Sequence, residues 1–283
     1  MTAGSPAAAA ASTGVAAVRS VAARKVFPGR GRGSAEVVAL DGVDVTVGPS
    51  EFVSLIGPSG CGKSTLLRLI ADLDTPTSGT VEVFGKSARQ ARLDHDFGVA
   101  FQQSALLPWR TVRRNIALPM ELAKVDAGQV KSRVEDLLAL VGLDQFADSF
   151  PDQLSGGMQQ RVAIARSLAE SPRLLLMDEP FGALDEMTRE RMQTELARIA
   201  AETGAAVVLV THSIPEAAFL SDRVVVMSPR PGRIIDVVDV ALGGQRERTE
   251  DLREDAAFFD AVRAIREALH GAEAPGPKAA EQR

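Results

Sequence analysis

The sequence predicts an α/β fold: a mostly parallel sheet wrapped by helices, with a block of helices inserted into it. Three observations carry that reading. The first is a set of short apolar runs, Phe52–Ile56, Leu174–Met177, Val207–Val210 and Val224–Met227, which read as strands buried on both faces. The second is that Phe52–Ile56 passes at once into Gly57-Pro58-Ser59-Gly60-Cys61-Gly62 and then into a helical stretch, Lys63–Ala71: strand, glycine loop, helix. The third is the middle of the chain. From about Leu106 to Leu168 no strand pattern occurs, while Val130, Val134, Leu137, Leu138 and Val141 recur at helical spacing and Gly142 can end that helix.

The remaining elements follow in chain order. Residues 1–18 are mostly Ala, Gly, Ser and Thr, which form no packed face, so a disordered tail is expected there. From Ser20 the pattern changes. Val21–Phe27 and Val37–Leu40 read as strands joined by the Gly-rich turn at 28–33, and Val43–Val47 alternates as a half-buried strand does. Near the end, Phe258, Val262, Ile265 and Leu269 form the apolar stripe of an amphipathic helix, placed at 246–270. Residues 271–283 are expected to be a second disordered tail. There is no internal repeat.

Composition narrows the function. The 283 residues are 45% hydrophobic, enough for a sizeable core. A net charge of -5 argues against nucleic acid as the main partner, since phosphate-backbone binding calls for a basic surface. Cys61 is the single cysteine, so no disulfide can form within the chain, which suits a reducing compartment. No stretch reaches the roughly 20 apolar residues needed to cross a bilayer, and the Ala-rich start lacks the basic and apolar regions of a signal peptide. A role at a membrane would therefore run through a partner that spans it.

Gly57-x-x-x-x-Gly62-Lys63-Ser64 satisfies the phosphate-loop pattern, in its required setting between a strand and a helix. Glycines permit close approach of backbone to phosphate, and a helix starting near Lys63 adds the positive end of its dipole. Pro58, Ser59, Gly60, Cys61 and Thr65 complete the loop and its exit. Lys63 can reach the β- and γ-phosphates, and the Ser64 hydroxyl can hold Mg²⁺. Cys61 itself reads as a small filler. The strand Leu174–Met177 ends in Asp178 and Glu179, two acids at the carboxyl edge of a parallel sheet, where ligands bind. Asp178 would hold Mg²⁺; Glu179, one residue on, would orient and polarise an attacking water.

Phosphate loops serve many enzymes, so the family must be read elsewhere. Leu154-Ser155-Gly156-Gly157-Met158-Gln159-Gln160-Arg161 resembles the signature motif of ABC ATPases, with Met158 where Gln is commonest. Ser155 and the two glycines precede the helical run Val162–Leu168, which makes a second helix N-terminus able to hold phosphate. Phe101-Gln102 resembles the family's Q-loop, Gly182-Ala183-Leu184-Asp185 its D-loop, and Thr211-His212 its switch histidine. Phe27 is the candidate for the aromatic that stacks on adenine, a place where Tyr is usual and which this tyrosine-free chain must fill otherwise; a strand Phe is ordinarily core.

The resemblance covers about Ser20 to Met227. It implies a P-loop NTPase (RecA-like) core with an antiparallel β subdomain, spanning 19–245, and an inserted helical subdomain at about 106–168. It further implies a Mg²⁺-dependent ATP hydrolase working as a head-to-tail homodimer, with ATP gripped between Lys63 of one copy and Ser155, Gly156 and Gly157 of the other. Glu179, His212, Gln102 and Lys63 would be catalytic, with Asp185 among the nucleotide-binding residues and Ser64, Gln102 and Asp178 around the metal. Integral membrane permease subunits would be direct partners, a periplasmic or extracellular solute-binding protein an indirect one, and the cytoplasmic face of the membrane the location.

Leu106, Leu107 and Trp109 follow Gln102 in the region where the family docks its membrane subunit; they serve either that contact or packing inside the helical block. Gln102–Met120 and Ser228-Pro229-Arg230-Pro231-Gly232-Arg233-Ile234 resemble the nitrate/sulfonate/taurine/bicarbonate importer branch, which implies uptake of a small anion or organic solute. The alternatives are an ABC ATPase of another transporter type, a non-transport ABC ATPase or a soluble P-loop kinase.

Overall fold

The computed structural model describes residues 14–29, 35–245 and 248–273. Two sheets organise them. The larger is built on β3 (Phe52–Ile56), β6 (Phe97–Ala100), β7 (Leu174–Asp178), β8 (Ala206–Val210) and β9 (Arg223–Met227), all parallel, with β10 (Ile234–Asp239) antiparallel at one edge, in the order β10-β9-β3-β8-β7-β6. The smaller is antiparallel, β2-β1-β4-β5, from β1 (Val18–Phe27), β2 (Val37–Val47), β4 (Ser78–Val83) and β5 (Lys86–Ser87).

The continuous apolar runs are explained by burial on both sides. Phe52, Ile56, Leu175, Met177, Val207 and Leu209 point into one hydrophobic cluster. Their strand neighbours Val53, Leu55, Leu174, Leu176, Val208 and Val210 point into the other. Because the strands are parallel, the loops leaving β3, β6, β7, β8 and β9 all emerge on one edge of the sheet. That edge collects the motifs.

Between β6 and β7 lies the helical block: α3 (Val112–Leu122), α4 (Ala127–Leu140) and α5 (Gly156–Ser167), capped by Thr111, Asp126 and Ser155. Val134, Leu137, Leu138 and Val141 are buried there, and Gly142 follows the helix at φ 62°. The helices α1 (Lys63–Ile70), α2 (Ala88–Leu93), α6 (Glu186–Thr203), α7 (Ile214–Leu220) and α8 (Ala256–Glu273) complete the chain.

The structure differs from the sequence expectations in places. Val37–Leu40 and Val43–Val47 form one strand, because Gly42, at φ 69°, absorbs a register shift against β1. β1 begins at Val18, inside the expected tail, where Ala17 already donates to the Val47 carbonyl at 2.8 Å. The final helix starts at Ala256 rather than 246: a 3₁₀ turn, Glu250–Glu254, comes first, and Asp255 Oδ1 accepts the Ala257 N–H at 2.8 Å. It also passes Gly271. Its stripe is seated, with Phe258, Val262 and Ile265 buried against α7, β9 and β10. Residues 1–13, most of the Gly-rich turn and 274–283 lie outside the described residues.

Candidate functional site

A cleft of about 680 Å³ opens at the motif-bearing edge of the parallel sheet. Its floor is the loop after β3 and the first turn of α1, from Ser59 to Thr65. Gly62 shows why this loop is glycine-rich: at φ 109°, a Cβ there would lie 2.6 Å from Leu40 Cδ2 and 2.9 Å from the Ala39 carbonyl. No side chain caps α1, so its first N–H groups remain available to an anion. Lys63 is buried, its Nζ donating to the carbonyls of Gly57 at 2.7 Å and Pro58 at 3.0 Å. Gly57 and Pro58 thus lie beneath the cleft and hold the lysine. Cys61 is buried in the core cluster behind the loop, as a filler would be, with Sγ 3.7 Å from Lys63 Nζ.

Ser64 donates from Oγ to Asp178 Oδ1 at 2.9 Å. Burial pushes the Asp178 carboxyl above its ordinary value, opposed chiefly by that hydrogen bond. A hydroxyl and a carboxylate side by side, the latter short of compensating charge, fit a hard divalent cation. Among the described residues no three His, Cys, Asp or Glu side chains converge on one point. Ser64 and Asp178 thus present two oxygen donors side by side at the edge of the cleft.

Glu179 follows Asp178 but turns away from it, at φ 48°, with its N–H donating to the Val210 carbonyl at 2.8 Å. Its carboxylate is gripped from two sides. Gln102 Nε2 donates to Oε2 at 3.1 Å, and His212 Nδ1 lies 3.3 Å from Oε1. Gln102, Glu179 and His212 all line the cleft, as does Phe27, whose ring is 37% exposed and carries Lys25 Nζ 5.0 Å from its centroid. The loop that carries His212 has its own support. Thr211 Oγ1 accepts the Ser213 N–H at 3.0 Å, and buried Glu216 accepts from Gln193 Nε2 at 3.2 Å. Gln193 in turn accepts from Arg253 Nη2 at 2.6 Å.

The Ser155–Gly157 segment and Asp185 stand apart from this cleft. Ser155 and Gly156 are exposed, and a Cβ on Gly156 would meet nothing within 4 Å. Ser155 caps α5 by accepting the Met158 N–H at 3.2 Å. Gly157 packs on the Gly182–Asp185 segment, its Cβ position 3.1 Å from the Ala183 carbonyl. Asp185 caps α6, and the hydrogen bonds from Thr188 hold its carboxyl below the ordinary range. The helical block is tied to the segment after β6: Gln160 Nε2 donates to the Phe101 carbonyl at 3.1 Å, and Arg166 Nη2 to the Ser104 carbonyl at 2.7 Å. Sequence reasoning missed Val37, Ala39 and Arg230, which also line the cleft. Arg230 sits in Pro-Arg-Pro-Gly-Arg, a run legible only as a mark of kinship until the fold brings β9 beside β3.

A family model described as ABC transporter matches residues 40–182. An uncharacterized ABC transporter ATP-binding protein of Methanocaldococcus jannaschii is 48% identical over 225 residues, covering 80% of this chain and 82% of the relative. A taurine import ATP-binding protein of Rhizobium johnstonii is 46% identical, covering 84% and 91%. A nitrate import ATP-binding protein of a Synechocystis species is 44% identical, covering 88% and 93%. Among solved structures, a dimeric ATP-binding cassette in a post-hydrolysis state with ADP and Pi superposes with a TM-score of 0.72 at 34% identity, covering 79% of this chain and 98% of that one.

Proposed function

The chain belongs to the ABC transporter family, as an ATP hydrolase coupled to transport, and from that premise we propose that it powers an importer for a small anion or organic solute of the nitrate, sulfonate or taurine kind. The observation that carries the mechanism is the Glu179 carboxylate, held between Gln102 and His212 at the mouth of the phosphate-loop cleft.

The triphosphate lies along Ser59–Thr65, with the adenine toward Phe27. Lys63, now satisfied by two loop carbonyls, exchanges them for phosphate oxygens. Glu179 accepts a proton from the attacking water, and its two neighbours fix the carboxylate for that task. His212, the more exposed of the pair with Glu179, contacts the γ-phosphate. Ser64, Asp178 and Gln102 would hold Mg²⁺, which supplies charge neutralisation at the phosphates.

One chain does not complete this site. Ser155 and Gly156 face solvent away from their own cleft, with Gly157 packed behind them, which supports a head-to-tail pair in which each copy lends its signature segment to the other's ATP. Asp185 lies beside that segment, and the superposed cassette is dimeric. ATP then joins the halves and its hydrolysis releases them, a population shift driven by ligand.

Among the described residues no helix is long and apolar enough to cross a membrane. Solute passage thus falls to a separate permease, docked at the Leu106–Trp109 surface from the cytoplasmic face, with a solute-binding protein on the far side. The domain limits follow the same reading, with the ATPase unit running to 245 from β1, which moves its start from 19 to Val18, and the helical subdomain at about 106–168.

The test is Glu179→Gln. This variant should bind ATP, lose hydrolysis and accumulate as an ATP-bound dimer on gel filtration. Turnover at the wild-type rate would falsify the mechanism.

A further inference from the structure

The loop between β9 and β10, Ser228–Arg233, leaves the same sheet edge as the phosphate loop, since β9 lies beside β3 in parallel. It is built in against that loop. Gly232 donates its N–H to the Ala39 carbonyl and accepts from the Asp41 N–H, both at 3.0 Å. It sits so close that a Cβ would lie 2.0 Å from the Cys61 carbonyl. Ser228 closes the turn, its Oγ donating to the Pro231 carbonyl at 3.0 Å and accepting the Arg233 N–H at 3.0 Å.

The two arginines of this loop have different fates. Arg233 is neutralised by Asp41, with Nε 3.1 Å from Oδ2. Arg230 lines the cleft instead. Its Nε and Nη2 lie 3.4 Å from the Gly60 carbonyl, and among the described residues no carboxylate pairs with it. Long contacts to one carbonyl leave most of a five-donor fork unspent. A guanidinium in that state, held by a seated loop over a phosphate-binding turn, is suited to a polyanion.

We propose that Arg230 is a further ATP-binding residue, whose guanidinium leaves Gly60 to pair with the triphosphate. The inference rests on the ATPase reading and extends it by one contact.

The experiment is equilibrium binding of ATP to the full chain at low and high ionic strength, for wild type, Arg230→Ala and Arg230→Lys, with thermal melts as a control for folding. The Ala variant should bind ATP about tenfold more weakly at low salt, with the deficit shrinking at high salt, and Lys should recover part of it. An Ala variant within twofold of wild type, or a deficit equal at both ionic strengths, would overturn the contact. Absence of ATP binding by the wild-type chain would instead remove the parent reading. The variant's melting temperature should match wild type, because Arg230 is exposed. If it does not, Arg230→Gln and Arg230→Lys carry the comparison, and equal affinity of those two variants at low salt would refute a charge contact.

Discussion

Ser64 Oγ lies 2.9 Å from Asp178 Oδ1, although 114 positions separate the two residues in the chain. The pair joins the start of α1 to the end of β7 and prepares an oxygen site beside the phosphate loop. Asp178→Asn removes the charge while keeping the size and one acceptor. Its expected effect is a drop in Mg²⁺-dependent ATP turnover of about 100-fold or more, with metal-free nucleotide binding retained. Titration of ATP in chelator and in excess Mg²⁺ measures both halves; Mg²⁺ enhancement of binding equal to wild type would exclude Asp178 from the metal site.

Most of that site was legible before folding, because its residues sit at ends of short apolar runs: Gly57 after Ile56, Asp178 after Met177, Thr211 after Val210. Burial on both faces of a parallel sheet leaves such a strong apolar signal that the strand end, and hence the ligand edge, can be read directly. What stayed hidden has equally physical causes. β6, Phe97–Ala100, contains Gly98 and only four residues, too few for a period to show. β10 is half exposed and borders the sheet, so its apolar content carries no such pattern. The contacts of Glu179 with Gln102 and His212 join three strand ends, and only the order β8-β7-β6 makes them neighbours. Arg230 needed the β9–β3 pairing in the same way.

Trp109 is 71% exposed, while Leu106 packs against the core, so packing accounts for Leu106 and the proposed docking contact would fall to Trp109. Trp109→Ala should leave unfolding free energy within about 0.5 kcal/mol of wild type, as for other exposed positions. It should nevertheless weaken recovery of the membrane subunit on pull-down. Trp109 is also the chain's only tryptophan. Its emission in the isolated subunit should be red-shifted and quenched by acrylamide, and should shift to the blue on permease binding. Unchanged emission in the assembled complex would exclude it from the docking surface.

Asn115 explains how Trp109 comes to be displayed. It is fully buried, accepts the Leu107 N–H at 2.8 Å and places Nδ2 within 3.2 Å of the carbonyls of Leu107, Arg110 and Thr111. One side chain therefore ties Leu107, Arg110 and Thr111 together across the turn preceding α3. Asn115→Ala strands the Leu107 N–H and the Arg110 carbonyl, while the Leu107 and Thr111 carbonyls keep the N–H groups of Arg110 and residue 115, and should lower the unfolding free energy by about 2–3 kcal/mol. The same variant should broaden the Trp109 emission by releasing the turn. Denaturant unfolding checks the first expectation; stability equal to wild type would mean that water replaces the amide without loss.

Glu216 supplies a pH dependence with a definite sign. It is buried below the His212 loop, and desolvation raises its pKa from 4.5 to about 7, against hydrogen bonds from Thr211 and Gln193 and the charges of Arg189 and His212. A carboxyl whose folded pKa lies above its unfolded value makes the folded state bind more protons between the two. Stability from this group is therefore full below about pH 4.5 and lost as pH rises to about 7. The shift bounds the effect at about 3 kcal/mol. Glu216→Gln keeps an oxygen for Gln193 and removes the ionisation, so its unfolding free energy should gain on wild type steadily across that window and level off above it. Chemical denaturation of both proteins at half-unit steps from pH 5 to 8 reads this difference. A constant gap between the two curves would show that folded Glu216 ionises as it does in the unfolded chain, so that the Arg253–Gln193–Glu216 chain ends in a carboxylate across the whole window.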